Sequence, residues 1–175
     1  MTGDVIDCIK DRRSVRRYED REVPLPTLQR LVECGRLAPS AGNRQPWHFY
    51  LVTSDRVRKG LSAAAYDQLF VAQAPAAIVV CAEPQTSAER YGSRGEALYC
   101  LQDTAAAVQN MLLAATGYGL GTCWVGAFDE EDVAKAIGVD HNQRRPVAII
   151  SVGYPAHEPA PRPRRSLDEV MTLID

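Results

Sequence analysis

Residues 101–118 constrain the fold more than any other stretch. Leu101, Ala105, Val108, Leu112 and Ala115 recur at helical spacing, and Ala106, Ala107, Met111, Leu113 and Ala114 extend the apolar surface nearly all round. A helix apolar on most sides is buried on most sides. A chain of 175 residues is the size of one domain, and a domain this small seldom wraps a helix completely. The expectation is a single domain over 1–175 with a buried central helix, part of whose surface a partner subunit covers.

Four apolar segments between helical ones supply the sheet. Residues 47–53 alternate, with Trp47, Phe49 and Leu51 on one face and His48, Tyr50 and Val52 on the other. Residues 76–82 are continuously apolar, as in a strand covered on both faces. Residues 122–125 and 147–154 complete the set, Pro146 opening the last strand. Helices are expected over 4–12, with Val5, Ile9 and Arg12 on one side, and from Pro26, with Leu28, Leu31, Val32 and Gly35 inward and Pro39 as the stop. Residues 54–73 form a weakly patterned helix. A short helix follows Asp129, with Asp132 in its first turn and Gly138 past its end. The polar stretch 83–95, with Pro84, Gly92 and Gly95, predicts an exposed, mobile loop able to act as a lid. Residues 159–165 (Pro-Ala-Pro-Arg-Pro-Arg-Arg) predict an extended arm. Beyond it, Leu167, Val170 and Leu173 suit either a short helix or a strand on a neighbour's sheet edge. The fold class is α+β: a central mixed sheet with helices on both faces and edges left for a partner strand.

Charge is the second constraint. The net charge of -2 argues against general nucleic-acid binding. Yet 17 of the 20 basic residues are arginine, clustered near 12–21 and 162–165. Arg12-Arg13-Ser14-Val15-Arg16-Arg17-Tyr18 packs forks and a hydroxyl closely enough to clamp an anion. It could equally be a solvated helix end, as most charge runs are. Residues 40–46, small and amide-rich between two prolines, would let a planar ligand approach the backbone, or form an ordinary turn. His48 reads as a packing residue, without a spaced His or Cys partner. Gly117, Gly119 and Gly121 do not form a dinucleotide fingerprint, because helix precedes them and strand follows. Tyr91, Tyr99 and Trp124 could stack on a substrate or serve the core. The five cysteines lack CxxC spacing and suit a reducing cytoplasm. No apolar run reaches the roughly 18 residues of a membrane span, and the opening residues do not read as a signal peptide.

Together these pieces resemble the FMN-dependent nitroreductase family. The opening Arg-Arg-Ser-Val-Arg-Arg-Tyr is similar to its R-x-S-x-R-x-F/Y signature. Residues 39–47 resemble its P-S-x-x-N-x-Q-P-W loop, and residues 119–126 its third block. Gln68 sits where many small members keep a flavin-contacting glutamine, and Gly153-Tyr154-Pro155 with the arginine arm resembles the closing segment. The resemblance implies a homodimer with exchanged arms, from about residue 156, and two FMN sites at the interface. Arg12, Ser14 and Arg16, with Arg13 alongside and Arg164 or Arg165 from the arm, would hold the phosphate and ribityl chain. Pro39, Ser40, Ala41, Asn43 and Gln45 would line the isoalloxazine from the other subunit. The backbone of Trp124, Val125, Gly126 and Ala127 would face the ring, with an N–H near Gly126 meeting N5. The implied activity is ping-pong hydride transfer from NADH or NADPH through FMN to a nitroaromatic, quinone or similar acceptor. No side chain is assigned as general acid or base. The scaffold also serves dehalogenation, azoline oxidation and flavin breakdown, and a non-catalytic flavin-binding role stands as a further alternative.

Overall fold

The computed structural model describes residues 4–174. Its elements are α1 (Val5–Asp11), α2 (Leu25–Arg36), β1 (Trp47–Val52), α3 (Asp55–Ala64), α4 (Leu69–Gln73), β2 (Ala76–Ala82), α5 (Pro84–Arg94), α6 (Cys100–Gly117), β3 (Gly121–Val125), α7 (Glu130–Ile137) and β4 (Arg145–Gly153). The sheet order is β1-β2-β4-β3 and every strand pairing in it is antiparallel. The sequence predicts a mixed sheet. The parallel component is a single bridge, Ser14 to Thr122, where the arginine segment lies along the free edge of β3.

Strand alternation sends side chains into two cores. Ala76, Ile78 and Val80 of β2 join Phe49, Leu51, Ala148, Ile150 and Val152 under α2 and α6, with Leu28, Leu31, Val108, Met111 and Leu112. Ala77, Val79 and Cys81 join Tyr50, Val52 and Ile149 under α3, α4 and α7, with Leu61, Val71 and Val133. This two-sided burial is why β2 reads as unbroken apolar sequence. The face assignment of β1 is borne out. α6 buries Cys100, Asp103, Thr104, Ala107, Val108, Met111, Leu112 and Ala115, and its Ala105, Ala106, Leu113 and Ala114 stay half-exposed.

Four local expectations change. Residues 83–95 are not a loop: Pro84 presets the first turn of α5, which looks polar because Ser87 is its buried residue. The helix expected over 54–73 divides, because Tyr66 and Asp67 adopt φ of 57° and 58° between α3 and α4. β4 begins at Arg145, and Pro146, which has no N–H to give the ladder, falls where the β2–β4 register shifts between Val80 and Cys81. In α1 the buried residue is Cys8, whereas Val5, Ile6 and Ile9 are exposed. The α7 cap forms as read: Asp129 accepts from the Asp132 N–H at 2.9 Å, and Gly138 takes φ 72°. The arm beyond residue 156 is exposed, with one turn in which Glu169 accepts from the Ser166 N–H and hydroxyl at 2.8 and 3.0 Å.

Candidate functional site

The arginine segment is shaped by what lies beneath it. Val15 is 4% exposed, and its N–H donates to the Thr122 carbonyl at 2.9 Å. Three residues on, the Tyr18 hydroxyl donates to the Val15 carbonyl at 2.8 Å and sits 2.7 Å from Ser151 Oγ. Burial pushes the Tyr18 phenol far above its ordinary pKa, the Ser151 hydrogen bond opposing. Val15 and Tyr18 thus pin the chain to β3 and β4 and leave the flanking arginines free to project. Ser14 lies against Cys123, a buried thiol raised by desolvation and lowered by Arg16, Ser14 and Arg12 nearby.

The arm folds back over this segment, starting where the Ala156 N–H donates to the Arg17 carbonyl at 3.0 Å. Between them lies a cleft of about 1060 Å³. Arg12, Arg13, Ser14, Arg16, Arg17, Arg162 and Arg164 line it together with Lys10 and His157, and among the described residues no carboxylate does. Of the arm's arginines, Arg162 and Arg164 therefore face the cleft. Arg165 instead donates to the Glu169 carbonyl at 2.6 Å and lies beside its carboxylate. Arg13 is braced by its own turn, donating to the Lys10 and Arg12 carbonyls at 2.5 and 3.1 Å. The sequence reading placed Arg17 and Arg162 in its two arginine clusters without giving either a contact of its own, and it did not single out Lys10 or His157. The arm's antiparallel return, marked by the bridge from Tyr18 to Pro155, brings the two clusters together.

Arg16 leads out of this cleft, its guanidinium 5.6 Å from the centre of the Phe70 ring. Two residues before Phe70, Gln68 donates its amide to the carbonyls of Ala65 and Ala127 at 3.0 and 3.2 Å. Gln68 thereby fixes the chain as it leaves β3. There Trp124 is 40% exposed, Val125 is buried, and Gly126 and Ala127 are exposed. Trp124 and Gly126 open onto a second, smaller cavity of about 300 Å³ with Leu101, Thr104, Val108 and Phe128. The pair Arg145–Glu130 closes it with two hydrogen bonds of 2.8 Å. Those bonds hold the Glu130 carboxyl below its usual range, His141 adding to the effect.

Residues 39–45 line neither cavity. They form a tight turn with φ of 56° at Gly42, 54° at Asn43 and 52° at Gln45. Side chains held in this sparsely populated region cost about 1–3 kcal/mol each and persist where surrounding contacts impose them. Those contacts are present. Ser40 Oγ accepts from the Gln45 N–H at 2.9 Å. Arg44 donates to the Thr86 carbonyl at 2.8 Å and pairs with Glu89. The Asp103 carboxylate accepts from the Ala41 N–H at 3.1 and 3.2 Å. Asp103 is 7% exposed, and desolvation raises its carboxyl pKa, the Ala41 hydrogen bond opposing. Sequence reasoning missed it, although the one charged residue in the 101–115 run was the available signal. Pro39 is exposed at the start of the turn. His48 stands apart from both cavities, 4.8 Å from the Tyr50 ring and 4.0 Å from Glu83, and burial with nearby Arg144 lowers its pKa.

An antiparallel sheet layered by helices on both faces, with an arginine-lined cleft along one edge, defines an α+β protein shaped to hold an anion. The nitroreductase family profile matches residues 9–84 and 65–154, and the chain belongs to that family. It is similar to an Archaeoglobus fulgidus protein that carries the name NADH dehydrogenase/NAD(P)H nitroreductase, 37% identical over 159 residues that span 87% of each chain. A Thermus thermophilus NADH dehydrogenase is 29% identical over 187 residues, 91% of each. A Desulfovibrio desulfuricans nitroreductase solved in complex with FMN superposes with a TM-score of 0.87 at 30% identity, covering 100% of this chain and 99% of that one. Among the described residues, no helix is long and apolar enough to cross a membrane.

Proposed function

We propose that this protein is an FMN-dependent oxidoreductase that takes electrons from NADH or NADPH and delivers them to a nitroaromatic, quinone or similar small acceptor. One observation carries the reading: a large cleft lined by six arginines and Ser14, with no acid in its wall among the described residues. Such a wall would be self-repelling without an anion, and guanidinium forks with a hydroxyl match a phosphate. The residues present therefore fit FMN. When bound, FMN would supply the redox chemistry, accepting hydride from the nicotinamide and passing electrons to the acceptor.

The chain's own residues bind and orient. Arg12, Ser14, Arg16 and Arg164 hold the phosphate and ribityl chain, with Arg13 braced beside them. Arg16, directed toward Phe70, links this anion site to the exposed backbone of residues 124–127, where the ring would lie and the Gly126 N–H offers a donor. Gln68 keeps that backbone in place through Ala127. Pro39, Ser40, Ala41, Asn43 and Gln45 would line the ring from a second copy of the chain, which agrees with their separation from the cleft within one chain. A homodimer is further supported by the exposed apolar side chains of Val5, Ile6 and Ile9 on α1 and of Leu167, Val170, Met171 and Leu173 on the arm. The names of the relatives support the donor class, and the FMN complex supports the cofactor. If donor and acceptor use one seat over the ring, turnover is ping-pong. The first test is the visible spectrum of the purified protein, with the released cofactor identified by chromatography. Flavin absorbance with FMN released is expected. A colourless protein that takes up no added FMN would overturn the reading.

A further inference from the structure

Away from the basic cleft, a cluster of aromatic and basic side chains lies where α5 runs into a π-helical turn, Gly95–Tyr99. Tyr91 and Tyr99 meet edge to face, with ring centroids 5.2 Å apart and planes at 79°. The Arg90 guanidinium lies 5.6 Å from the centre of the Tyr91 ring and that of Arg94 5.3 Å from the centre of the Tyr99 ring. Arg94 Nε also donates to the Tyr99 hydroxyl at 3.0 Å. Both arginines are exposed, and among the described residues neither has an ion-pair partner, since neighbouring Glu89 is taken by Arg44. π-Helical turns are rare and gather at functional sites.

This cluster rests directly on the strained turn of residues 41–45. A Cβ at Gly42 would collide with the Tyr91 hydroxyl and come within 3.2 Å of Arg90 Nη1. Wherever that turn docks, Arg90 and Tyr91 travel with it. The two part-exposed rings meet at right angles, and each carries beside it an exposed guanidinium that pairs with no carboxylate among the described residues.

We propose that Arg90, Tyr91, Arg94 and Tyr99 form the acceptor subsite and that it selects aromatic substrates bearing a carboxylate. The inference rests on the reading that the 39–45 turn lines the flavin ring. Tyr91 and Tyr99 hold the acceptor's ring, and Arg90 and Arg94 take its anion as charge-assisted hydrogen bonds. A neutral quinone uses the aromatic half alone.

The test is calorimetric titration of the FMN-loaded protein with benzoate and with benzamide, its uncharged counterpart of the same shape. Benzoate should bind roughly tenfold tighter or more, with the preference shrinking as salt is raised. The Arg90→Ala/Arg94→Ala double variant should lose the preference, and Arg94→Lys should keep part of it. In turnover, kcat/KM for 4-nitrobenzoate over that for its methyl ester should follow the same order. Benzoate binding no tighter than benzamide in the wild type overturns the proposal, as does a preference that the double variant retains. Should the double variant not fold, Arg94→Lys takes its place, and a benzoate preference that it leaves unchanged overturns the proposal. A protein that takes up no FMN overturns the underlying reading and the subsite with it, whereas a yellow protein indifferent to the carboxylate overturns the subsite alone.

Discussion

Replacing Gly121 with alanine would strike the contact that seats the arginine segment on the sheet. A Cβ there would lie 2.7 Å from Val15 Cγ2 and 2.8 Å from both Val15 Cβ and Cγ1. Valine is stiff at χ1, so rotation offers little relief. Val15 is also buried, and its N–H is tied to the Thr122 carbonyl at 2.9 Å. The strain must move backbone, and overpacking of this kind costs about 1–3 kcal/mol. For a chain of this size that is a fall in Tm of roughly 2–12 °C. The same displacement carries Ser14 and Arg16 away from the cleft, so FMN retention should fall alongside stability. Thermal unfolding by circular dichroism, together with the ratio of flavin to protein absorbance, reads both effects. A second substitution, Val15→Ala, removes the two methyl groups that Gly121→Ala would meet and leaves the contact with the Val15 Cβ at 2.8 Å. The double variant should therefore be more stable than the sum of the two singles by about 0.5–3 kcal/mol. If Gly121→Ala leaves both Tm and flavin content unchanged, or if the two substitutions simply add, the argument that Val15 seats the anion site through Gly121 is wrong.

Tyr18→Phe removes the hydroxyl that serves both the Val15 carbonyl and buried Ser151. Leaving those groups short of a partner should cost about 1–3 kcal/mol in urea unfolding; an unchanged midpoint would refute the staple. Arg16→Ala should weaken FMN binding by about 1.5–3 kcal/mol, or roughly 10- to 150-fold in Kd, measured by fluorescence titration of apoprotein. Unaltered affinity would remove Arg16 from the site. Asp103→Asn tests the buried carboxyl. Burial raises its folded pKa above the unfolded value, so its favourable contribution is full below about pH 4 and is lost as pH rises through the folded pKa. Measured by Tm, the asparagine variant should gain on the wild type across that rise; a difference constant with pH would count against it.

Much of this molecule is written in local pattern. The unbroken apolar run of β2, the alternation of β1 and the cap of α7 each follow from side-chain period or a single capping group. The arginine motif reads as a candidate anion clamp because guanidinium forks keep their chemistry wherever the backbone goes. Polar helices are harder to read. α5 buries Ser87 but little of its apolar surface, so its residues look like a loop until Pro84 is recognised as a helix opener rather than a breaker. The split between α3 and α4 is likewise hidden, since nothing in Tyr66 or Asp67 announces a left-handed backbone.

What the sequence by itself determined was the layered α+β architecture and the two arginine clusters from which an anion site is proposed. Both rest on periodicity and on charge, which are properties of residues taken in order. Tertiary structure alone decided which arginines share a wall. It brought Arg162 and Arg164 to Arg12 and Arg17 across more than 140 residues of chain. It also set Asp103 beneath Ala41, and laid Arg90 and Tyr91 on Gly42. Those contacts depend on the arm's return and on the packing of α5 and α6 against one turn. Each is a non-local juxtaposition, set by the summed packing of the sheet and its helices rather than by the residues on either side of it.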